Sequence, residues 1–248
     1  MRLFLHQLRN EQLQFWRSRE AALFIFLFPI LLFVLLGSVY SGEIYGVPAP
    51  QALLAGMIGY GAANTGFAGL AITLVTRREL AVLKRLRATP LRARTYVAAV
   101  LTSTLFNFAL QVAVLFVIGR ILYGTPFPHA IGSLVLAIVL GACVFAALGV
   151  ATASLIRSSE GSSAVVNFIL LPMAFLTGSF GPTHRYPEFL RAIGDVLPLK
   201  YFLDIVNAVY LRNEGIWTQP KALAVLAAWG AIGIVVATLK FRWEPREG

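Results

Sequence analysis

Residues 53–94 read LLAGMIGYGAANTGFAGLAITLVTRRELAVLKRLRATPLRAR. Up to Val75 the stretch carries no charge. From 76 to 94 it holds seven Lys or Arg in nineteen residues, out of 21 in the whole chain. A charge-free run like 53–75 has the length of a bilayer-crossing helix, which needs about 20 mostly apolar residues. A strand there would require a closed barrel to pair its backbone. Five more runs of the same kind follow the same logic, at 21–40, 95–118, 132–156, 164–180 and 222–239. The composition agrees: 58% hydrophobic and 13% charged, against about 25% charged in soluble domains. The expectation is a single-domain (1–248), all-α polytopic membrane protein with six transmembrane helices. The apolar core of the first run exceeds the roughly 7–15 residues of a cleaved signal.

Cation placement sets the orientation. The N-terminal stretch, the 76–94 loop, the loop at Arg157 and the tail (Lys240, Arg242, Arg246) together hold 15 Lys or Arg; the other side holds 6. Both termini are therefore expected in the cytoplasm and the protein in the plasma membrane. The outer cations are nearly balanced by Glu43, Glu188, Asp195, Asp204 and Glu214. The net charge of +10 belongs to the inner face, so no nucleic-acid partner is needed to explain it.

Three stretches do not span. Residues 3–19 place Phe4, Leu5, Leu8, Phe15 and Trp16 on one helical arc, which predicts a helix in the inner headgroup layer. Residues 181–220 are too interrupted by Asp195, Pro198, Lys200 and Asp204 to cross and too apolar for a free loop, which predicts a re-entrant outer helical hairpin. In residues 77–88, helical phase sets Leu80, Leu83 and Leu86 with Val82 on one side. Arg77, Arg78, Lys84 and Arg85 lie on the other, with Arg87 the exception. Pro90 pushes Thr89 out of the helical region and ends the element. Along 53–75, Ala55, Gly59, Ala62, Gly66 and Gly69 recur about once per turn, a spacing that lets membrane helices approach closely.

No GxxxxGK[ST] phosphate loop, H-E-x-x-H or G-x-S-x-G pattern occurs. ATP chemistry through a phosphate loop must come from a partner. His6, His129 and His184 are isolated, and Cys143 is a single thiol within an apolar run. The spanning runs hold no Asp, Glu, Lys or Arg, which argues against an ion-coupled carrier and against carboxylate or metal catalysis within the membrane. Their polar residues are neutral: Asn64, Thr65, Asn107, Gln111 and Asn167.

RRELAVLKRLRATPLR (77–92) resembles the cytoplasmic loop of type-2 ABC exporter membrane subunits. LLPMAFLTGSFGPTHRYPEFLRAIGDVLPLKYFLDIVNAVY (170–210) resembles their outer segment, and Phe28-Pro29 matches a pair in their first spanning helix. Gly181-Pro182 departs from that pattern, which usually has a bulky residue before the proline. The resemblance covers nearly the whole chain and is nearer to the drug-resistance (daunorubicin-type) branch than to the polysaccharide branch. It implies a permease that pairs with a second permease, identical or homologous, and docks on two ABC ATPase subunits. ATP and magnesium would sit on those subunits, with no cofactor on this chain. The 77–88 element (Arg77, Arg78, Glu79, Leu80, Leu83, Lys84, Arg85, Leu86, Arg87) would be the coupling helix, with Glu79 at the family's acidic position. Asn64, Phe67, Asn167 and Phe168 would line the substrate pathway. An uncharged, partly aromatic path suits an amphipathic or lipid-like compound, moved outward by alternating access. A different class of function remains open at this point: a non-transporting membrane anchor or assembly protein that recruits a cytoplasmic partner through the basic loop.

Overall fold

The computed structural model describes residues 2–89 and 91–241, without the side chains of Ala21 and Arg87. Pro90, Arg242 and Arg246, to which the sequence assigned a helix stop and inner charge, lie outside the described residues. About 79% of the chain is helical, and the protein is an all-α polytopic membrane protein. The helices are α1 (Arg2–Arg17), α2 (Ala22–Val39), α3 (Ala49–Glu79), α4 (Val82–Arg87), α5 (Ala93–Tyr123), α6 (Ile131–Leu155), α7 (Ser162–Thr177), α8 (Glu188–Gly194), α9 (Pro198–Tyr210) and α10 (Pro220–Lys240). A two-residue hairpin pairs Ile44 with Val47 antiparallel between α2 and α3. Its turn, Tyr45-Gly46, has both residues at positive φ (56° and 75°), as a tight two-residue loop requires.

Among the described residues, five helices are long and apolar enough to cross a membrane: α2, α3, α5, α6 and α10. The run at 164–180 forms α7, which has 16 residues and measures about 24 Å at 1.5 Å per residue. It stops early because Gly178 adopts a left-handed φ of 90° and its N–H turns back to the carbonyls of Ala174 and Phe175. This is a standard glycine stop.

α3 is the axis of the bundle. In its most apolar window 89% of residues are buried, against 22% in α2 and in α10. The small residues account for this: a Cβ at Gly59 would meet Leu203 at 2.4 Å, and one at Gly66 would meet Phe145 at 3.0 Å. Neighbouring helices occupy the space that side chains would have filled. α9 belongs to the same core. It buries Leu199, Phe202, Leu203, Ile205 and Val206, and Phe202 meets Phe145 edge to face at 5.8 Å.

Two of the spanning helices contain a π-helical turn, Ala22–Leu27 in α2 and Ala63–Gly69 in α3. Such turns widen the ladder and release carbonyls. In lipid those carbonyls need partners, and two buried amides supply them. Asn64 donates from Nδ2 to the carbonyls of Phe24 (2.9 Å) and Ile25 (3.3 Å). Gln111 of α5 donates from Nε2 to those of Ile25 (2.9 Å) and Phe26 (3.0 Å). Asn64 and Gln111 therefore stitch α2 to α3 and α5.

Candidate functional site

The basic stretch after α3 does not form one helix over 77–88. α3 ends at Glu79, Leu80 leaves the helical region, Ala81 sits at a left-handed φ of 53°, and α4 begins at Val82. The break follows from what the residues on either side bind.

Arg77, Arg78 and Glu79 each reach a different element. Arg77 holds Glu11 of α1 with a two-pronged ion pair, Nη2 to Oε2 at 2.7 Å and Nη1 to Oε1 at 3.0 Å. It also donates to the Tyr96 hydroxyl at 2.9 Å and to Gln14 Oε1 at 2.7 Å. Gln7 donates to the same Glu11 carboxylate at 2.8 Å. Arg78 was expected on the basic side of the element with Arg77, Lys84 and Arg85, opposite the leucines. Instead it is 1% exposed, and its guanidinium donates to the carbonyls of Ala153 (2.9 Å) and Ile156 (2.5 Å). These carbonyls lie at the C-terminus of α6, where carbonyls lack intrahelical partners and the helix dipole favours a cation. Glu79 accepts from the Ser159 N–H at 2.6 Å and from the Ser159 hydroxyl. It ties the loop to the α6–α7 turn.

With these three residues anchored, the chain must turn before α4 to bury Leu83, which is fully enclosed. Leu86 packs partly onto the same core. Leu80 is thrown outward, 63% exposed, away from the leucines with which helical phase had grouped it. Lys84 and Arg85 also point out, and Arg85 closes the turn by donating to the Leu80 carbonyl at 2.9 Å. Among the described side chains, the outward face thus includes Leu80, Lys84 and Arg85.

α1 binds the bundle through its polar side. Gln7 and Glu11 are buried, and Gln12 donates to the Ser103 hydroxyl of α5 at 2.8 Å. Leu5, Leu13 and Trp16 remain exposed. Of the predicted arc, Phe4, Leu8 and Phe15 turn partly inward. The anchors Glu11 and Ser159 were not singled out from sequence. Nothing local marks them, because each matters through a partner tens of residues away.

Because the Glu11–Arg77 pair is nearly enclosed (side chains 6% and 12% exposed), removing one partner strands the other. Glu11→Ala and Arg77→Ala are each expected to cost about 2–3 kcal/mol. The double variant should cost less than the sum, leaving a coupling energy of about 1–2 kcal/mol. Denaturation of the four proteins in mixed micelles measures this; additive losses would mean that the pair contributes no joint stabilisation.

Beside this junction a cavity of about 850 Å³ lies between α1, α2, α3, α5 and α7. Its charged mouth holds Glu11, Glu20 and Arg77, and its walls include Phe24, Phe28, Asn64, Asn107 and Asn167. Of the predicted pathway residues, Asn64 and Asn167 line it. Phe67 and Phe168 do not. Phe67 is buried, with its backbone carbonyl facing Gly149 of α6. Phe168 is 80% exposed on the outside of α7. α7 turns one face to the bundle, and adjacent residues on a helix point about 100° apart.

Bundle, basic junction and amphipathic cavity define a helical membrane protein with one structured, cationic end. The family model described as "ABC-2 type transporter" matches residues 2–211, and the chain belongs to that family. Curated relatives are similar to it at low identity. The inner membrane transport permease YhhJ of Escherichia coli (strain K12) is 26% identical over 122 residues, covering 48% of this chain and 32% of the relative. The probable multidrug ABC transporter permease YbhR of the same strain is 21% identical over 160 residues, 63% of this chain and 44% of the relative. The putative transport permease ycf38 of Porphyra purpurea is 23% identical over 245 residues, 92% and 80% respectively. The chain thus aligns with less than half the length of the first two relatives.

Proposed function

We propose that this chain is the membrane permease subunit of an ATP-driven exporter that moves an amphipathic or lipid-like compound outward. It crosses the plasma membrane six times with both termini inside. α7 is the fifth crossing, and α8–α9 form a re-entrant outer hairpin. The nature of relatives such as YbhR supports transport. The observation that carries the mechanism is the three-way anchorage of Arg77, Arg78 and Glu79 to α1, α6 and the α6–α7 turn.

A force applied to α4 reaches three elements at once through short, charge-assisted bonds, which are stiffer than neutral ones. The face offered to an ATPase subunit is Leu80, Lys84 and Arg85, because Leu83 and Leu86 are committed to the permease's own core. ATP and magnesium are held by the ATPase subunits. Closure of an ATPase pair displaces α4 in each of two permeases, and the spanning helices pass from inward- to outward-facing around the cavity that Asn64 and Asn167 line.

The test is co-purification with a phosphate-loop ATPase, followed by hydrolysis and transport assays in proteoliposomes. Lys84→Glu/Arg85→Glu is expected to reduce ATPase association and transport-coupled hydrolysis about tenfold or more, through charge reversal at the docking face. The bundle should be intact, since both side chains are exposed and the bond lost, from Arg85 to the Leu80 carbonyl, lies within the exposed turn. Unchanged coupling in that variant overturns the docking face. Stable ATPase association without any transport favours the anchoring role instead.

A further inference from the structure

One buried side chain in the cavity is left unsatisfied by the fold. Asn107 lies on α5, 4% exposed and on the cavity wall. Its Oδ1 has no hydrogen-bond partner among the described residues. Its neighbours are bonded into the fold; Gln111 Oε1 also lacks a partner among the described residues, but Gln111 does not line the cavity. Gln111, one turn further on, and Asn64 across the cavity share the carbonyls of Phe24, Ile25 and Phe26. Thr104 donates its hydroxyl to the carbonyl of Val100 at 3.0 Å. The acceptors that the π turn of α2 releases are used by the other two amides.

A buried amide without a partner is costly, most of all in a membrane bundle. A ligand in the cavity would be the missing partner. The surroundings define its chemistry. The cavity's charged groups are Glu11, Glu20 and Arg77. Arg77 bonds to Tyr96, which precedes Asn107 by eleven residues, about 16 Å along the helix. An anionic ligand group beside Asn107 would find no counter-ion there, because Arg77 is the cation among the described lining residues. A neutral group that both donates and accepts hydrogen bonds would satisfy the amide on both its atoms.

We propose that Asn107 is a specificity-determining contact of the cavity. It takes a hydroxyl or amide group of an uncharged amphipathic ligand whose apolar part lies against Phe24, Ile25 and Phe28. This rests on the cavity being part of the transport pathway and names the class of compound that the pathway accepts.

The test uses the full chain in lipid nanodiscs without any ATPase. The neutral probe is tritiated chloramphenicol, which carries hydroxyls and an amide; the counter-probe is tetraphenylphosphonium, a lipophilic cation with no hydrogen-bonding group. The wild-type chain is expected to bind chloramphenicol saturably. Asn107→Leu weakens that binding about tenfold, the worth of one lost hydrogen bond of ordinary strength. Asn107→Gln keeps part of it. Tetraphenylphosphonium binding is the same in all three proteins. Because an unpartnered amide does not help the fold, Asn107→Leu also raises the melting temperature.

Three results overturn the inference: no saturable chloramphenicol binding by the wild-type chain, equal binding by Asn107→Leu, or a lower melting temperature for that variant. The last would show that the amide has a structural partner. Loss of ATPase docking with chloramphenicol binding intact would count against the exporter reading alone.

Discussion

Replacement of Arg78 by leucine is expected to destabilise the protein by about 3–4 kcal/mol, although leucine suits an apolar surrounding far better than a guanidinium does. The cost comes from what arginine leaves behind. The carbonyls of Ala153 and Ile156 accept from it at 2.9 and 2.5 Å, and a charged hydrogen bond contributes about 1.5–3 kcal/mol. Without them the end of α6 keeps buried, unpaired acceptors. Lysine restores the charge but not the fork, since a single ammonium is a compact point donor. Arg78→Lys should therefore recover about half of the loss. Unfolding in mixed micelles ranks the three proteins. If Arg78→Leu melts within a degree or two of wild type, the guanidinium is not what caps α6. The same variant should raise backbone amide exchange in the α6–α7 turn, because Glu79 and Ser159 lose the neighbour that fixes them.

The second large effect concerns Gly149. A Cβ built there would lie 2.6 Å from the carbonyl oxygen of Gly66 and 2.8 Å from that of Phe67. Both are backbone atoms, which cannot turn aside as a side-chain tip can. α6 and the π turn of α3 would have to separate, and a core packed to crystal density resists that. Gly149→Ala is expected to cost about 2–3 kcal/mol, and Gly149→Val to leave no folded protein after detergent extraction. Gly132 is the control: nothing lies within 4 Å of a Cβ there. Gly132→Ala should be neutral or stabilising by up to about 1 kcal/mol through the unfolded state. Size-exclusion profiles and melting curves of the three variants decide it. A folded Gly149→Val protein would mean that the two helices are less tightly joined than their backbones indicate.

Much of this could be read along the chain because lipid imposes long-range order on local composition. The charge-free runs become helices since only a helix satisfies the backbone of a single run by itself in hydrocarbon. The recurrence of Gly59 and Gly66 pointed to close helix approach, and both lie against side chains of other helices. The length of the fifth run was overread, because its last three residues include Gly178, which ends the helix. The helix expected over 77–88 failed at Ala81. Alanine is the strongest helix former, and no turn residue precedes it. A left-handed alanine costs about 1–2 kcal/mol, and local propensity gives no reason to accept that cost.

The candidate site divides along the same line. Which residues are basic, and that they gather in one loop, is visible in 76–94. Which of them face a partner is not. Arg77 and Arg78 are adjacent and chemically alike, yet one pairs with α1 and the other closes α6. Asn64, Asn107 and Gln111 are three buried amides with one sequence signature. Two of them hold the opened turn of α2, and the third is left for the cavity.

By itself the sequence determined the class of protein, its long apolar helices and the loop in which its charge collects, because hydrophobic transfer and backbone satisfaction act on each segment where it stands. Only the tertiary structure decided which cations are buried and which exposed, where the loop helix breaks and which amide is left to the cavity. Those outcomes depend on hydrogen-bond partners such as Ala153, Ile156 and Ser159, about 75–80 residues away along the chain, whose proximity exists only once the helices have packed.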